Sequence, residues 1–227
     1  MPARKRTRAA GSEGYNRRKA RDGALVETDA ALLAPPMARR PVKRPSWFTE
    51  LGIPPEYGID PPLPSYADAE RLAAVEPNIL GRVEQLAPGT AHDWRAMKAA
   101  AAEDGVALLL VSGFRSIEHQ IALIRAKLER GIDIATILSV NAAPGYSQHH
   151  TGKAVDIATP GCRPLTEEFE SSEAFFWLEH HAARFAFRMP YGRNNAFGFG
   201  FEPWHWCQLD DRVLKFRSKR GHHALRR

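Results

Sequence analysis

Two short segments of this 227-residue chain carry side chains whose types and spacing could do chemistry. The first runs from Ser147 to Asp156 and reads SQHHTGKAVD, and the second, EPWH, begins at Glu202 and ends at His205. Two histidines and an aspartate can hold one zinc ion and leave its fourth position to water. A glutamate three residues before the second histidine could deprotonate that water as a general base. The two segments together predict the centre of a metal-dependent hydrolase.

The spacing in the first segment favours a loop that leads into a strand. His149 and Asp156 are seven residues apart with Gly152 between them, so a single helical face fits them poorly. The His-Glu-x-x-His helix of many zinc proteases is absent from the sequence. A lone histidine is weak evidence, but here glycine, alanine and aspartate follow at fixed offsets. His150 stays open as an alternative to His149 in the ligand position.

The elements around these segments follow from apolar runs and capping residues. Val106–Val111 is a short, continuous apolar run that predicts a buried strand, and its end delivers Arg115 to the surface. Ser116 is placed to cap a helix over about 117–130, which Gly131 ends. The same reasoning predicts further strands at 154–157 and 199–209.

Three more helices are expected elsewhere in the chain. One is opened by Ser65 and has Ala69, Leu72 and Ala73 on one face. The others cover 91–104, with Thr90 as the N-cap, and 172–184. Residues 46–65 are dense in proline and predict an irregular arm. Helices before, between and after short strands favour an α+β domain.

The net charge of +6 is distributed unevenly. Residues 1–45 hold twelve Lys/Arg against four Asp/Glu, and residues 212–227 hold seven Lys/Arg and no acids, so the body of the chain is acidic. We therefore expect a basic disordered tail at 1–45, a folded domain at 46–211 and a basic tail at 212–227. The tails could attract an anionic polymer, although solvated termini without a dedicated partner are the simpler interpretation.

The sequence says little about the compartment. No run approaches the roughly twenty apolar residues that a transmembrane helix needs. A signal peptide is also hard to find, since Glu27 and Asp29 interrupt the mildly apolar segment near the start. Cys162 and Cys207 do not make a disulfide framework. Free thiols are the leading interpretation for them, ahead of a disulfide and of zinc ligation.

The site pattern resembles a known peptidase family. Ser147-x-His149-x-x-Gly152-x-Ala154-x-Asp156, followed by Glu202-x-Trp204-His205, is similar to the D-alanyl-D-alanine carboxypeptidases and dipeptidases of the VanY type. These zinc peptidases are grouped with the lysostaphin-like and Hedgehog-like domains. The resemblance covers residues 106–209 and implies a Hedgehog/D,D-peptidase-like fold, with a small antiparallel sheet flanked by helices.

The resemblance also implies a role for each site residue. His149, Asp156 and His205 would bind Zn²⁺, and Glu202 would be the general base. Arg115 would stabilise the oxyanion or clasp the terminal carboxylate of the substrate. Gln120 and Ser147 would be further hydrogen-bonding partners of the substrate. A structural ion pair for Arg115 and a turn cap for Ser147 are the alternatives.

Two segments depart from the family pattern. Arg188-Met189-Pro190-Tyr191 lacks the expected arginine-tyrosine-proline order, and residues 206–209 lack the arginine-tyrosine ending that is common after the histidine. Both departures leave the metal set intact and concern the choice of substrate.

The implied activity is that of a zinc-dependent carboxypeptidase that releases terminal D-alanine from peptidoglycan stem peptides. L,D-carboxypeptidase or D-Ala-D-Ala dipeptidase activity could use the same centre. A phage-type wall endopeptidase and a non-catalytic zinc-binding wall module are the remaining alternatives. Wall substrates suggest a periplasmic location, whereas the missing export signal points to the cytoplasm.

Overall fold

A computed structural model describes residues 44–59 and 62–208 of the chain. The tail at 212–227 and nearly all of the tail at 1–45 lie outside these residues. The predicted domain bounds, including those of the 46–211 domain, therefore stay predictions. In the described ranges, no helix is long and apolar enough to cross a membrane.

The strands of the described residues form two small antiparallel sheets. A hairpin pairs β1 with β2, and a four-stranded sheet has the order β3-β4-β6-β5. The strands are β1 (Ala73–Pro77), β2 (Val83–Leu86), β3 (Leu109–Ser112), β4 (Ala154–Ala158), β5 (Phe187–Arg188) and β6 (His205–Gln208). The predicted α+β class and small antiparallel sheet are confirmed.

Within residues 44–59 and 62–208, five α-helices and three short 3₁₀ segments surround the strands. The helices are α1 (Ser46–Glu50), α2 (Pro88–Glu103), α3 (Ile117–Glu129), α4 (Ile134–Val140) and α5 (Glu173–His181). The 3₁₀ segments are Gln148–Thr151, Glu167–Ser171 and Ala182–Phe185.

The main core lies on one face of the four-stranded sheet. Successive side chains of a strand point to opposite faces, so Val155 and Ile157 of β4 share one face while Asp156 takes the other. Val155 and Ile157 are fully buried in one cluster with Trp94 of α2 and Leu178 of α5. Burying side chains of this size stabilises the fold by roughly 1.5–3 kcal/mol each. The opposite face of β4 carries the carboxylate of Asp156.

A second apolar cluster forms under the other side of the domain. It joins α1, α3 and α4 through Phe48, Ile124 and Ile137, which are almost fully buried. This cluster fixes α3 and α4 relative to each other. Lys127 of α3, with Val140 and Asn141 at the end of α4, lines a cleft on the domain.

The predicted elements nearest the site are confirmed with small shifts. Ser116 caps α3, because its hydroxyl accepts a hydrogen bond from the backbone N–H of His119 at 3.0 Å. The strand predicted at 154–157 is β4, and the helix predicted at 172–184 is α5 followed by a 3₁₀ turn. The strand expected from Val106 starts only at Leu109, and the strand expected over 199–209 is limited to β6.

The helix predicted to begin at Ser65 is wrong. The chain there is extended, and its backbone bonds to a distant loop: Tyr66 N–H donates to the carbonyl of Gly145 at 2.7 Å and Ala69 N–H to that of His150 at 2.8 Å. Ala73 begins β1 instead of ending a helix. Long-range backbone pairing therefore overrides a local stripe of small apolar residues.

Two other local predictions also need correction. The N-cap of α2 is Ala87 and not Thr90, because Pro88 occupies the first helical position, where its missing N–H costs nothing. The hydroxyl of Thr90 instead donates to Gln208 at 2.7 Å. The arm expected to be irregular over 46–65 contains the short helix α1, whose Phe48 is buried.

Gly152 makes the turn between the 3₁₀ segment Gln148–Thr151 and β4. Its φ of +64° lies in the left-handed region, which L-residues with a Cβ adopt at a cost. A Cβ at this position would also lie 2.8 Å from the backbone nitrogen of Ala87. The same N–H donates to the carbonyl of Gly152 at 2.9 Å, so the start of α2 is fastened to this turn.

We predict that Gly152→Ala destabilises the fold for two separable reasons. The left-handed backbone costs roughly 1–2 kcal/mol in any residue with a Cβ, and the contact with Ala87 adds to it. Gly105→Ala is the matched control, since Gly105 has φ +78° but a Cβ there would enter open space. Urea unfolding should give a larger loss of unfolding free energy for Gly152→Ala than for Gly105→Ala. Equal losses would mean that the contact with Ala87 contributes nothing.

Candidate metal centre

The register of the sheet sets Asp156 opposite His205. Asp156 of β4 pairs with His205 of β6 on one side and with Ser112 of β3 on the other. Directly paired residues of antiparallel strands have their Cβ atoms about 4.5–5.5 Å apart. Asp156 and His205 therefore meet on the sheet face turned away from the main core, where they are 5% and 3% exposed.

His149 reaches the same point from the 3₁₀ segment Gln148–Thr151. Its Nε2 lies 3.2 Å from Oδ2 of Asp156, and Nδ1 of His205 lies 3.0 Å from Oδ1 of the same carboxylate. One candidate ligand atom from each residue falls within 4.8 Å of the others. Two imidazoles and a carboxylate at such distances are a donor set that zinc accepts. The predicted cluster of His149, Asp156 and His205 is thus brought together.

The other ring nitrogens of the two histidines are held by acceptors. Nδ1 of His149 lies 2.6 Å from the carbonyl oxygen of Gly113, which can only accept, so this nitrogen carries the proton. Nε2 of His205 lies 3.0 Å from Oε1 of Gln148. These contacts leave Nε2 of His149 and Nδ1 of His205 as the ring nitrogens that face Asp156 and would hold a cation. Hydrogen bonds of this kind orient histidine ligands in metal sites, so the residues present fit a zinc ion.

The charge of Asp156 is stabilised by its neighbours. Burial alone would raise the pKa of this carboxyl, but the imidazoles of His149 and His205 outweigh it and hold the pKa far below its usual value. The guanidinium of Arg115 also stands 3.8 Å from Oδ2. Asp156 is therefore ionised throughout the physiological range and ready to bind a cation.

Glu202 lies beside the three ligands and has the opposite electrostatic character. Its backbone N–H donates to the carbonyl of Tyr191 at 3.0 Å, and its carbonyl accepts from His205 N–H at 3.1 Å, which fixes the Glu202–His205 turn. Burial raises the pKa of the Glu202 carboxyl to about 7, with a smaller opposing effect of His205. The two carboxylates of the site thus differ in proton affinity, as acid–base chemistry near neutral pH requires.

Arg115 is held at the edge of the cluster by two side chains. Its guanidinium donates to Oε1 of Gln120 at 3.1 Å and to the hydroxyl of Ser112 at 3.2 Å. Gln120 is fully buried, and its amide donates to the carbonyl of Ala142 at 2.8 Å. The predicted contact of Gln120 with substrate stays a prediction, and in the structure this side chain orients Arg115.

Ser147 and His150 lie close to His149 in the sequence, but only Ser147 lines the cleft. Ser147 lines the cleft, and its hydroxyl accepts from the backbone N–H of His149 at 3.3 Å, so it also caps the 3₁₀ segment. His150 is fully buried and points away: its Nδ1 lies 2.6 Å from the Arg115 carbonyl, and its Nε2 accepts from Gly145 N–H at 3.0 Å. Burial lowers the pKa of His150. His150 thus lies outside the cluster of candidate ligands, which favours His149 in the ligand position.

The cysteines and tryptophans near the site stay outside the ligand cluster. Cys162 and Cys207 are not joined to each other in a disulfide in the described part of the chain. Trp206 packs in the main core, and Trp204 lines the cleft.

Several supporting residues gave no sequence signal. Tyr191 stacks on the ring of His205 at a centroid distance of 4.7 Å. Buried Glu84 of β2 accepts from the backbone N–H of Gly113 at 3.0 Å and is itself held by Asn78 at 2.8 Å. The β1–β2 hairpin thereby fixes the residue whose carbonyl orients His149. Only the turn residues Asn78 and Gly81, between two short alternating runs, could have indicated this hairpin.

A cleft of about 410 Å³ opens over the cluster. Its lining includes Arg115, Lys127 and Asn141, together with Glu202 and other residues of the 199–204 loop. Val140, Leu165 and Phe201 add apolar side chains to the lining. A cleft of this size, with a few convergent polar groups, suits a short peptide.

Comparison with solved structures identifies the fold. The structure of LdcB, an LD-carboxypeptidase, is 24% identical, with a TM-score of 0.58 over 70% of this chain and 77% of that one. A vancomycin-resistance D,D-pentapeptidase VanY, solved as a glutamate-to-alanine variant in complex with Zn(II), is 25% identical, with a TM-score of 0.51. That match covers 69% of this chain and 88% of the VanY chain. The predicted D,D-peptidase-like fold is confirmed.

Sequence comparison identifies the family. A D-alanyl-D-alanine carboxypeptidase of Enterococcus faecalis is 32% identical over 117 residues, which are 47% of this chain and 42% of the relative. The chain spans less than half the length of the curated relatives that it matches. The profile of the VanY family, described as D-alanyl-D-alanine carboxypeptidase, matches residues 83–210, more than half of the chain. This chain therefore belongs to the VanY family of D-alanyl-D-alanine carboxypeptidases.

Proposed function

We propose that this protein is a zinc-dependent carboxypeptidase that removes the terminal D-alanine from peptidoglycan stem peptides. The observation that carries the proposal is the meeting of His149, Asp156 and His205 in one cleft with Glu202 beside them. A site that only stabilised the fold would have no use for a neighbouring carboxylate with a raised pKa. Membership of the VanY family supports the same reaction and substrate class.

The three ligand residues would hold the metal through Nε2 of His149, a carboxylate oxygen of Asp156 and Nδ1 of His205. Zinc, when bound, polarises a scissile carbonyl and lowers the pKa of water from about 15.7 to about 7. Gly113 and Gln148 keep the two imidazoles in the required tautomers.

Glu202 would move the proton of the reaction. It would take a proton from the attacking water as the new C–O bond forms, and deliver that proton to the departing amine as the C–N bond breaks. Burial raises the pKa of Glu202 to about 7, which makes its carboxylate a stronger base towards the water than an ordinary glutamate. Arg115 would stabilise the negative charge that develops on the carbonyl oxygen.

The basic tails are not needed for this proposal. They lie outside the described residues, and the prediction that they attract an anionic polymer has no support from the comparisons. The D,D bond is preferred because the family description and the Enterococcus faecalis relative both refer to D-alanyl-D-alanine.

We predict that Glu202→Gln keeps zinc and loses turnover. The amide fills the same space but cannot accept the proton, so D-alanine release should fall by about 10²–10⁴-fold or more. Zinc content, measured by atomic emission, should stay at one ion per chain. Glu103→Gln, at an exposed position of α2, is the control that should retain both. A near-normal rate in Glu202→Gln would remove this residue from the proton transfer.

We predict that His205→Ala loses the metal as well as turnover. Deleting one of three protein ligands leaves only His149 and Asp156, which hold zinc too weakly to survive dialysis. His150→Ala is the informative comparison, because His150 has no place in the cluster and its variant should keep stoichiometric zinc in the folded fraction. Full zinc occupancy in His205→Ala would contradict the proposed ligand set.

We predict that the zinc-loaded protein releases free D-alanine from a stem pentapeptide, that a chelator stops the release and that added zinc restores it. Mass spectrometry of products from pentapeptide, tetrapeptide and D-Ala-D-Ala separates the D,D-, L,D- and dipeptidase activities. Dissolution of intact sacculi without loss of D-alanine would favour an endopeptidase. The absence of metal-dependent release from all three peptides would reject the carboxypeptidase.

A further inference from the structure

Lys127 of α3 is a second cation in the cleft, and the proposed reaction leaves it without a role. It lines the same cleft as Arg115 and is half-buried. Its ammonium donates to Oδ1 of Asn141, another residue of the cleft. Burial disfavours the charged form of a lysine unless a nearby anion compensates it.

The protein supplies Lys127 with no anion of its own in the described part of the chain. Among residues 44–59 and 62–208, no carboxylate lies within the 4.0 Å of an ion pair from its Nζ. Lys98 of α2 is different, since it pairs with Glu76 at 2.7 Å. Burial, together with the positive charges of Arg130 and Arg115, lowers the pKa of Lys127. An anion that enters the cleft would stabilise the charged ammonium of Lys127 against its partial burial and against the two arginine charges.

The two cations of the cleft have different surroundings. Arg115 lies 3.8 Å from the ligand Asp156 and is held there by Gln120 and Ser112. It is therefore close enough to the candidate metal ligands to face a carbonyl bound at the metal. The side chain of Lys127 bonds instead to Asn141, which comes from the end of α4.

A path of hydrogen bonds connects Arg115 with Lys127. Gln120 accepts from Arg115 through Oε1 and donates through its amide to the carbonyl of Ala142. Asn141, which accepts from Lys127, is the residue next to Ala142. The distance between the two cations is thus set by a buried side chain and by one short segment. Two cations held at a set spacing suit a substrate with a negative group opposite each of them.

We propose that Lys127 and Asn141 form the subsite for the C-terminal carboxylate of the substrate, which leaves Arg115 to the oxyanion. The inference rests on the proposed function and refines it. Lys127 offers N–H donors to the carboxylate, and the amide group of Asn141 orients the ammonium. The favoured ligands are peptides that end in a free carboxylate at the residue to be released. A peptide that continues past this point, or ends in an amide, lacks the required charge.

The test is equilibrium binding, so that it does not depend on turnover. Isothermal titration calorimetry would compare an acylated L-Lys-D-Ala-D-Ala with its C-terminal carboxamide, using zinc-loaded Glu202→Gln protein as the parent. The parent should prefer the free acid by about 10–100-fold, the effect of one hydrogen bond to a charged group. Adding Lys127→Met should reduce affinity for the acid to that for the carboxamide, with unchanged affinity for the carboxamide and unchanged zinc content.

Adding Lys98→Met instead is the matched control, since it removes a lysine that is paired with Glu76 away from the cleft and should keep the preference. The proposal is overturned if Lys127→Met retains the preference, if it weakens both peptides equally, or if the parent fails to discriminate or to bind. A failure of the proposed function looks different. In that case wild-type protein would bind the acid preferentially and still release no D-alanine.

Discussion

The buried carboxylate of Asp156 is the constraint on which this structure depends. An ionised carboxylate out of water is costly unless opposite charges or hydrogen-bond donors compensate it. Here the compensation comes from His149, His205 and the nearby Arg115. These residues come from a turn, a neighbouring strand and the segment after β3. The fold must therefore bring three separate parts of the chain to one carboxylate, and a bound cation completes the arrangement.

Two kinds of contact in the rest of the domain hold Asp156 and its two histidines in place. Apolar packing of α2 and α5 against one face of the sheet fixes the strands, so that the register of β4 and β6 is not free to slip. A slip of one residue would turn Asp156 into the core. Polar contacts then set the imidazoles, through Gly113 and Gln148. Glu84 extends that support to the β1–β2 hairpin, which lies outside the motif itself.

The sequence was more informative about the site than about the elements that support it. His149, Asp156, Glu202 and His205 could be predicted because chemistry restricts both their types and their offsets. The cap at Ser116 was also predictable, since it depends only on neighbouring residues. The β1–β2 hairpin was missed, because the stripe of small apolar residues before it fits a helix equally well.

The parts that could not be predicted depend on contacts between distant residues. The backbone of residues 66–69 pairs with the loop before His150, and nothing in the local sequence encodes that pairing. Gln148 and Lys127 are common polar residues, and the sequence around them does not indicate what they contact. Only the folded chain gives Gln148 a histidine to hold and turns Lys127 towards the wall of a cleft.

X-ray absorption spectroscopy of the protein loaded with one zinc ion per chain tests the ligand set most directly. A set of His149, Asp156 and His205 predicts a first shell of nitrogen and oxygen atoms only, at about 2.0–2.2 Å, with outer-shell scattering from two imidazoles. A sulfur ligand at about 2.3 Å would contradict it, because Cys162 or Cys207 would then replace a member of the set. Scattering from one imidazole or from three would contradict it equally.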